Sequence, residues 1–173
     1  MQQNYIGISE NRLHHIIGVA RKAYKIARDM GYNERFCRRC FMLGWMQAIG
    51  YEFSEKPSEH PNVSEELLWT LGDAFGIISS SASYNKEWIN ALSAVRKYGL
   101  YTENETAEWK ILNMADMQVD SNGKEVTVFQ RLEDIKNRYG EHSNQYLTAC
   151  GIYYPIGLTA INFAAHIIII SSM

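Results

Sequence analysis

The stretch Phe41-Met42-Leu43-Gly44-Trp45-Met46-Gln47-Ala48-Ile49-Gly50-Tyr51-Glu52-Phe53 decides how the chain is read. From Phe41 to Tyr51 every residue is apolar or glycine except Gln47. Traced back, Phe36, Cys40, Leu43 and Gln47 recur at helical spacing, so they share one stripe of a helix expected from Asn33 to Ile49. A lone amide on a core-facing stripe is costly unless it is hydrogen-bonded. Gln47, followed by the small Ala48, therefore points to an interior polar site.

Upstream, Ser9 to Met30 reads as an amphipathic helix, with Ser9 as N-cap and Gly31 as the stop. Its expected inner face is Leu13, Ile16, Ile17, Ala20, Ala23, Tyr24 and Ala27. His15 borders that face and His14 points to solvent. Downstream, Tyr51 to Val63 holds Pro57 and Pro61 and reads as a loop, with Ser64 capping a helix to about Phe75. Gly76 to Ser83 is small and serine-rich. Helices are expected over Tyr84–Tyr98, Glu105–Met117 and from Thr127 to Tyr139. Thr127 and Gln130 form a capping box, and Asn122-Gly123 forms a turn. No stretch alternates with period two over a useful length, so the fold class is all-α.

The 173 residues suit one domain, with 46% hydrophobic and 21% charged residues. A net charge of -2 gives no whole-surface attraction to nucleic acid or to anionic membrane. The opening MQQNYIGISENR lacks a cationic leader followed by an apolar run, so no secretory signal is expected. Three cysteines read as reduced thiols of a cytoplasmic protein.

Two local clusters have both a chemical and a structural reading. Cys37-Arg-Arg-Cys40 has the spacing of zinc and redox sites, but a structural zinc needs four ligands and only Cys150 remains. The pair reads as packing. Arg35, Arg38 and Arg39, with Lys22 and Lys25, could form a basic patch for phosphate or an acidic protein surface, or simply a solvated face.

From Ser143 to Met173, 31 residues carry no Asp, Glu, Lys or Arg. A bilayer span needs roughly 20 apolar residues. Pro155, Asn162 and His166 interrupt this one, and no cation follows. The segment is expected to form an extra apolar C-terminal helix (146–173) docked on a 1–145 domain, with part of its surface serving a dimer or partner interface. The run His166-Ile-Ile-Ile-Ile170 could equally finish as a short strand.

One pattern is distributed along the chain. It comprises His15-Ile-Ile-Gly18-Val19-Ala20, Ile49-Gly50-Tyr51, His60-Pro61, Ala115-Asp116-Met117, Asn122-Gly123-Lys124 and Arg138-Tyr139-Gly140. In order and spacing this resembles the HD-domain superfamily of metal-dependent phosphohydrolases, over about Asn11 to His142. The resemblance implies an HD-like helical bundle. It also implies a divalent cation (Mn, Ni, Fe or Mg) held by an opening His, a central His-Asp pair and a late Asp, which would polarise a phosphoryl group and activate water. His15 matches the first ligand and Asp116 the last. Gln47 and Ala48 stand where the central His and Asp belong. A further family histidine would fall near Ile77 to Ala82, where serines stand. His60 sits in the His-Pro position.

The resemblance thus implies a vestigial pocket of His15, Gln47, Ala48, His60 and Asp116, with no cofactor or metal expected, and with Gln47 hydrogen-bonded to His15 or Asp116. The expected function is a catalytically inactive, protein-binding regulator or inhibitor, for example one carried by a phage or mobile element against a host nuclease. It would work as a homodimer or with a protein partner, through the C-terminal segment and the Arg35/Arg38/Arg39 face, without direct nucleic-acid or membrane contact. Two alternatives stand beside it. One is a divergent phosphohydrolase using His15, Asp116, His60 and a carboxylate such as Asp73. The other is a nucleotide receptor without turnover, using Arg12 or Lys22 for phosphate.

Overall fold

The computed structural model describes residues 7–56, 59–74 and 106–151. The helix expected over Tyr84–Tyr98, the serine-rich stretch before it and the tail beyond residue 151 lie outside the described residues. So do the side chains of α3's last turn, Asp73 included. Helices α1 (Glu10–Asp29) and α2 (Glu34–Met46) are followed by a 3₁₀ turn (Ile49–Glu52) and α3 (His60–Ala74). Then come α4 (Ala107–Asp116), α5 (Val128–Tyr139) and a helical stretch, α6, over 144–151. Among the described residues the only strand-like pairing is one isolated bridge, Val119 to Glu125. The all-α class stands.

Local chemistry sets the helix starts. Ser9, Asn33, Thr106 and Thr127 each cap a helix by accepting a hydrogen bond from a backbone N–H three residues on. Thr127 and Gln130 complete a reciprocal capping box. Gly31, with φ near +80°, ends the run after α1 in a conformation that side chains with a Cβ resist.

Helices α1 and α2 form an antiparallel pair whose facing residues are small. A Cβ on Gly44 would stand 2.6 Å from the Ala20 Cα, so the two backbones nearly touch there. Val19, Ala23 and Ala27 of α1 then pack with Cys37 and Cys40 of α2 and with Ile111, Leu112 and Ala115 of α4. Small residues permit this close approach, and α4 fills the space beside it with larger side chains. A second cluster joins Met117, Ile135 of α5 and Ala149 of α6, with Tyr146 packed against it. The first charge-free residues after Ser143 therefore rest on α5. Among the described residues no helix is long and apolar enough to cross a membrane.

Three expectations need correction. The inner face of α1 is centred on Ile16, Val19, Ala20, Ala23 and Ala27, and Leu13 is exposed. Helix α2 stops at Met46 and does not reach Ile49, because Gln47 begins the turn that α3 holds. The expected loop through Val63 ends at His60, where α3 starts. Ser64 is inside that helix and does not cap it. Its hydroxyl donates to the Gln47 carbonyl at 3.0 Å and accepts from the Gly50 N–H at 2.8 Å, pinning the turn to α3. Pro61 lies in the first turn of α3, where a missing N–H costs nothing.

Candidate functional site

The distributed motifs converge at one end of the α1–α2 pair. With Gly44 against Ala20 and Arg12 stacked over the Tyr51 ring at 3.7 Å, the register sets Gln47 and Ala48 beside the first turns of α1. The end of α4 and the loop after it close over the same place.

His15 is the centre. Its Nδ1–H donates to the Asp120 carbonyl at 2.8 Å. Its Nε2 meets Asp116 Oδ1, also at 2.8 Å. A carbonyl only accepts, so Nδ1 carries a hydrogen. The contact between Nε2 and the carboxylate then needs a proton of its own, shared between imidazole and Asp116. Both side chains are largely buried. The ring is thus fixed from two sides, and neither nitrogen presents a lone pair to a third partner.

The Asp120 loop that supplies the carbonyl is itself held. Asp120 Oδ1 accepts from the Asn122 N–H at 2.8 Å and the Lys124 N–H at 2.9 Å, a side-chain-closed turn. Gly123 has φ near +80° and lies against the His14 backbone. Val119 and Glu125 bridge across the turn.

Around this pair sit the other expected residues. Gln47 is 2% exposed and Ala48 is equally buried. The expected Gln47–His15 hydrogen bond does not form, because Asp116 and Asp120 take both ring nitrogens. Tyr51 is stacked on His60 with ring centroids 3.9 Å apart, and Arg12 covers its other face. Burial pushes the Tyr51 hydroxyl above the usual tyrosine range, Arg12 offsets part of that, and the nearby Asp116 and Tyr139 add to it. The layered Arg12–Tyr51–His60 stack thus lies beside the His15–Asp116 pair. Sequence reasoning took Tyr51 as a motif marker only and missed Asp120, whose signal was an Asp two residues before Asn122-Gly123.

The remaining candidates are placed elsewhere. Lys22 donates to Glu125 at 2.7 Å, and Lys25 lies 3.7 Å from the same carboxylate. Two of the three arginines part: Arg38 pairs with Glu34, while Arg39 turns inward to the buried Glu108 at 3.0 Å. Cys37 and Cys40 are both core thiols. Burial, chiefly, drives the Cys40 thiol up to about 12, and Cys37 is raised for the same reason. Such thiols are poor nucleophiles and poor ligands.

At the centre of the pocket one imidazole and one carboxylate are bonded to each other. Among the described residues there is no group of three or more His, Cys, Asp or Glu arranged to hold a metal ion. The residues present do not match the four-ligand set that the resemblance implies. Compared with family models, with curated proteins and with solved structures, the chain matches none.

Proposed function

We propose that this chain is a divergent HD-like domain in which the metal centre has been closed into a hydrogen-bonded pair, and that it acts as a protein-binding regulator and not as a phosphohydrolase. The single observation supporting the reading is the double engagement of His15, by Asp116 and by the Asp120 carbonyl. A metal ligand must offer a nitrogen lone pair, and a second-site partner normally holds only the opposite nitrogen. Here the Asp116 carboxylate faces Nε2. Gln47 and Ala48 fill the neighbouring positions with a neutral amide and a methyl group.

The anion-binding alternative has less support. Of its two candidate cations, Lys22 is bonded to Glu125 and Arg12 lies flat on Tyr51. The work of the domain then falls to its surface, where aromatic and sulfur side chains are unusually exposed on α2.

The test is a phosphoester screen. Purified protein with Mn²⁺ or Ni²⁺ is offered nucleotides, cyclic dinucleotides and a chromogenic phosphodiester. The reading expects no turnover above buffer. Turnover that His15→Ala abolishes would overturn it.

A further inference from the structure

On α5, Arg131, Asp134, Ile135 and Arg138 recur at helical spacing and share one face. Ile135 packs on Met117, directly after Asp116, so this face is turned to the end of α4. Arg131 is carried inward with it. The residue is 9% exposed, a depth at which a charged side chain is ordinarily fully paired.

Its pairing is incomplete. Nη1 donates to Asp134 Oδ2 at 3.0 Å, but Nε is buried and has no hydrogen-bond partner. Arg138 also donates to Asp134 Oδ2, through its own Nη2. One carboxylate oxygen thus answers two guanidinium groups, and a positive charge is left over on this face. Glu133 does not supply the balance, because it is exposed and stands about 160° round the helix from Arg131. Glu141 is paired with Lys136 at 3.2 Å.

We propose that Arg131, with Arg138 beside it, is a binding site for a small oxyanion: one phosphate or carboxylate group of a soluble ligand, seated side-on against Arg131. The Nε–H and the Nη2–H of a guanidinium point the same way, at the spacing of two oxygens of a carboxylate or phosphate. Asp134 takes Nη1, on the other side of the fork, and fixes the guanidinium without filling that edge. An unanswered donor on a buried ion is costly, and native proteins leave few of them. An oxyanion on the open edge supplies both acceptors and the missing negative charge. The Arg131 side chain is 10% accessible, which admits a single small group and not a flat macromolecular surface. Arg138 is more exposed and stands on the solvent side. The site uses neither Lys22 nor Arg12, and it does not depend on the protein-binding reading.

The test uses the full chain at constant ionic strength, with sodium phosphate, sulfate or acetate replacing sodium chloride. Thermal unfolding and the Arg131 Nε–H signal in a ¹⁵N-resolved NMR spectrum report binding. The proposal expects a saturable rise in Tm, about 5–10 °C at 100 times the dissociation constant, and a displacement of that signal with the same midpoint. Arg131→Lys keeps the charge and removes the fork, and it should weaken binding about tenfold or more. Arg138→Gln, at an exposed position, should weaken it about two- to fivefold. A response to phosphate and sulfate alone assigns a tetrahedral group, and a response to acetate alone assigns a carboxylate; either supports the site.

An Nε–H signal that none of the three anions moves would overturn the proposal. So would a Tm that rises no more than in chloride, or equal binding by Arg131→Lys. Should circular dichroism find Arg131→Lys unfolded, the Nε–H signal of the natural sequence and the Arg138→Gln affinity decide: a silent signal or an unchanged affinity sinks the site.

Discussion

Gly18 and Gly123 meet with no room for a methyl group between them. A Cβ on Gly18 would lie 2.7 Å from the Gly123 carbonyl oxygen and equally close to Val119 Cγ1. One glycine is on α1, one turn from His15. The other is in the turn whose Asp120 carbonyl holds that histidine. The close approach is what brings the carbonyl within reach of the ring.

Gly18→Ala should therefore destabilise the protein by about 1–3 kcal/mol, the usual cost of overpacking. At this chain length each kcal/mol lowers Tm by about 2–4 °C. Gly123→Ala should be worse, since it adds an unfavourable positive φ to a clash with the His14 backbone. Thermal unfolding by circular dichroism checks the order.

Asp116 can be changed in two ways that separate charge from hydrogen bonding. Asp116→Asn keeps a hydrogen-bonding partner for His15 Nε2, whereas Asp116→Ala leaves that largely buried nitrogen without it. The alanine variant should lose about 1–3 kcal/mol and the asparagine variant less. Urea midpoints decide it, and equal losses would mean that the contact does not hold the ring.

The buried Glu108 has its charge answered by Arg39 at 3.0 Å. Glu108→Ala or Arg39→Ala should each cost about 3 kcal/mol, because the survivor is left as an uncompensated charge. Replacing both with leucine should recover most of the loss, as measured by a double-mutant cycle.

The core thiols make stability fall in alkali. Cys40 in the folded state is held protonated up to about 12, against an ordinary value of 9.0. Because the folded value is the raised one, the stabilisation is complete below pH 9 and is lost as pH rises toward 12. Urea midpoints should decline over that window, and more shallowly in Cys40→Ala. Iodoacetamide at pH 8 should leave Cys37 and Cys40 unmodified until the protein is unfolded.

Much of the local structure was legible because local chemistry sets it. The Ser9 and Thr127 caps, the Gln130 half of the box and the place of His15 at the edge of α1 all follow from spacing. What was not legible depended on contacts across the chain. The end of α2 at Met46 depends on Ser64, which bridges Gln47 and Gly50 from another helix. The inward turn of Arg39 depends on Glu108, far away in sequence. Leu13 was placed inward because one apolar residue too many was counted on the α1 face, and helix periodicity alone does not say where a neighbour stops covering it. The start of α3 did have a signal, Pro61 in a first helical turn, which the reading of a loop overrode.

The central proposal is that His15, engaged by two oxygen acceptors, does not serve as a metal ligand. Elemental analysis after equilibration with excess Mn²⁺, Ni²⁺ or Fe²⁺ and desalting tests it most directly. The account predicts metal far below one ion per chain, the same in His15→Ala as in the natural sequence. Close to one ion per chain, lost in His15→Ala and in Asp116→Ala, would contradict it.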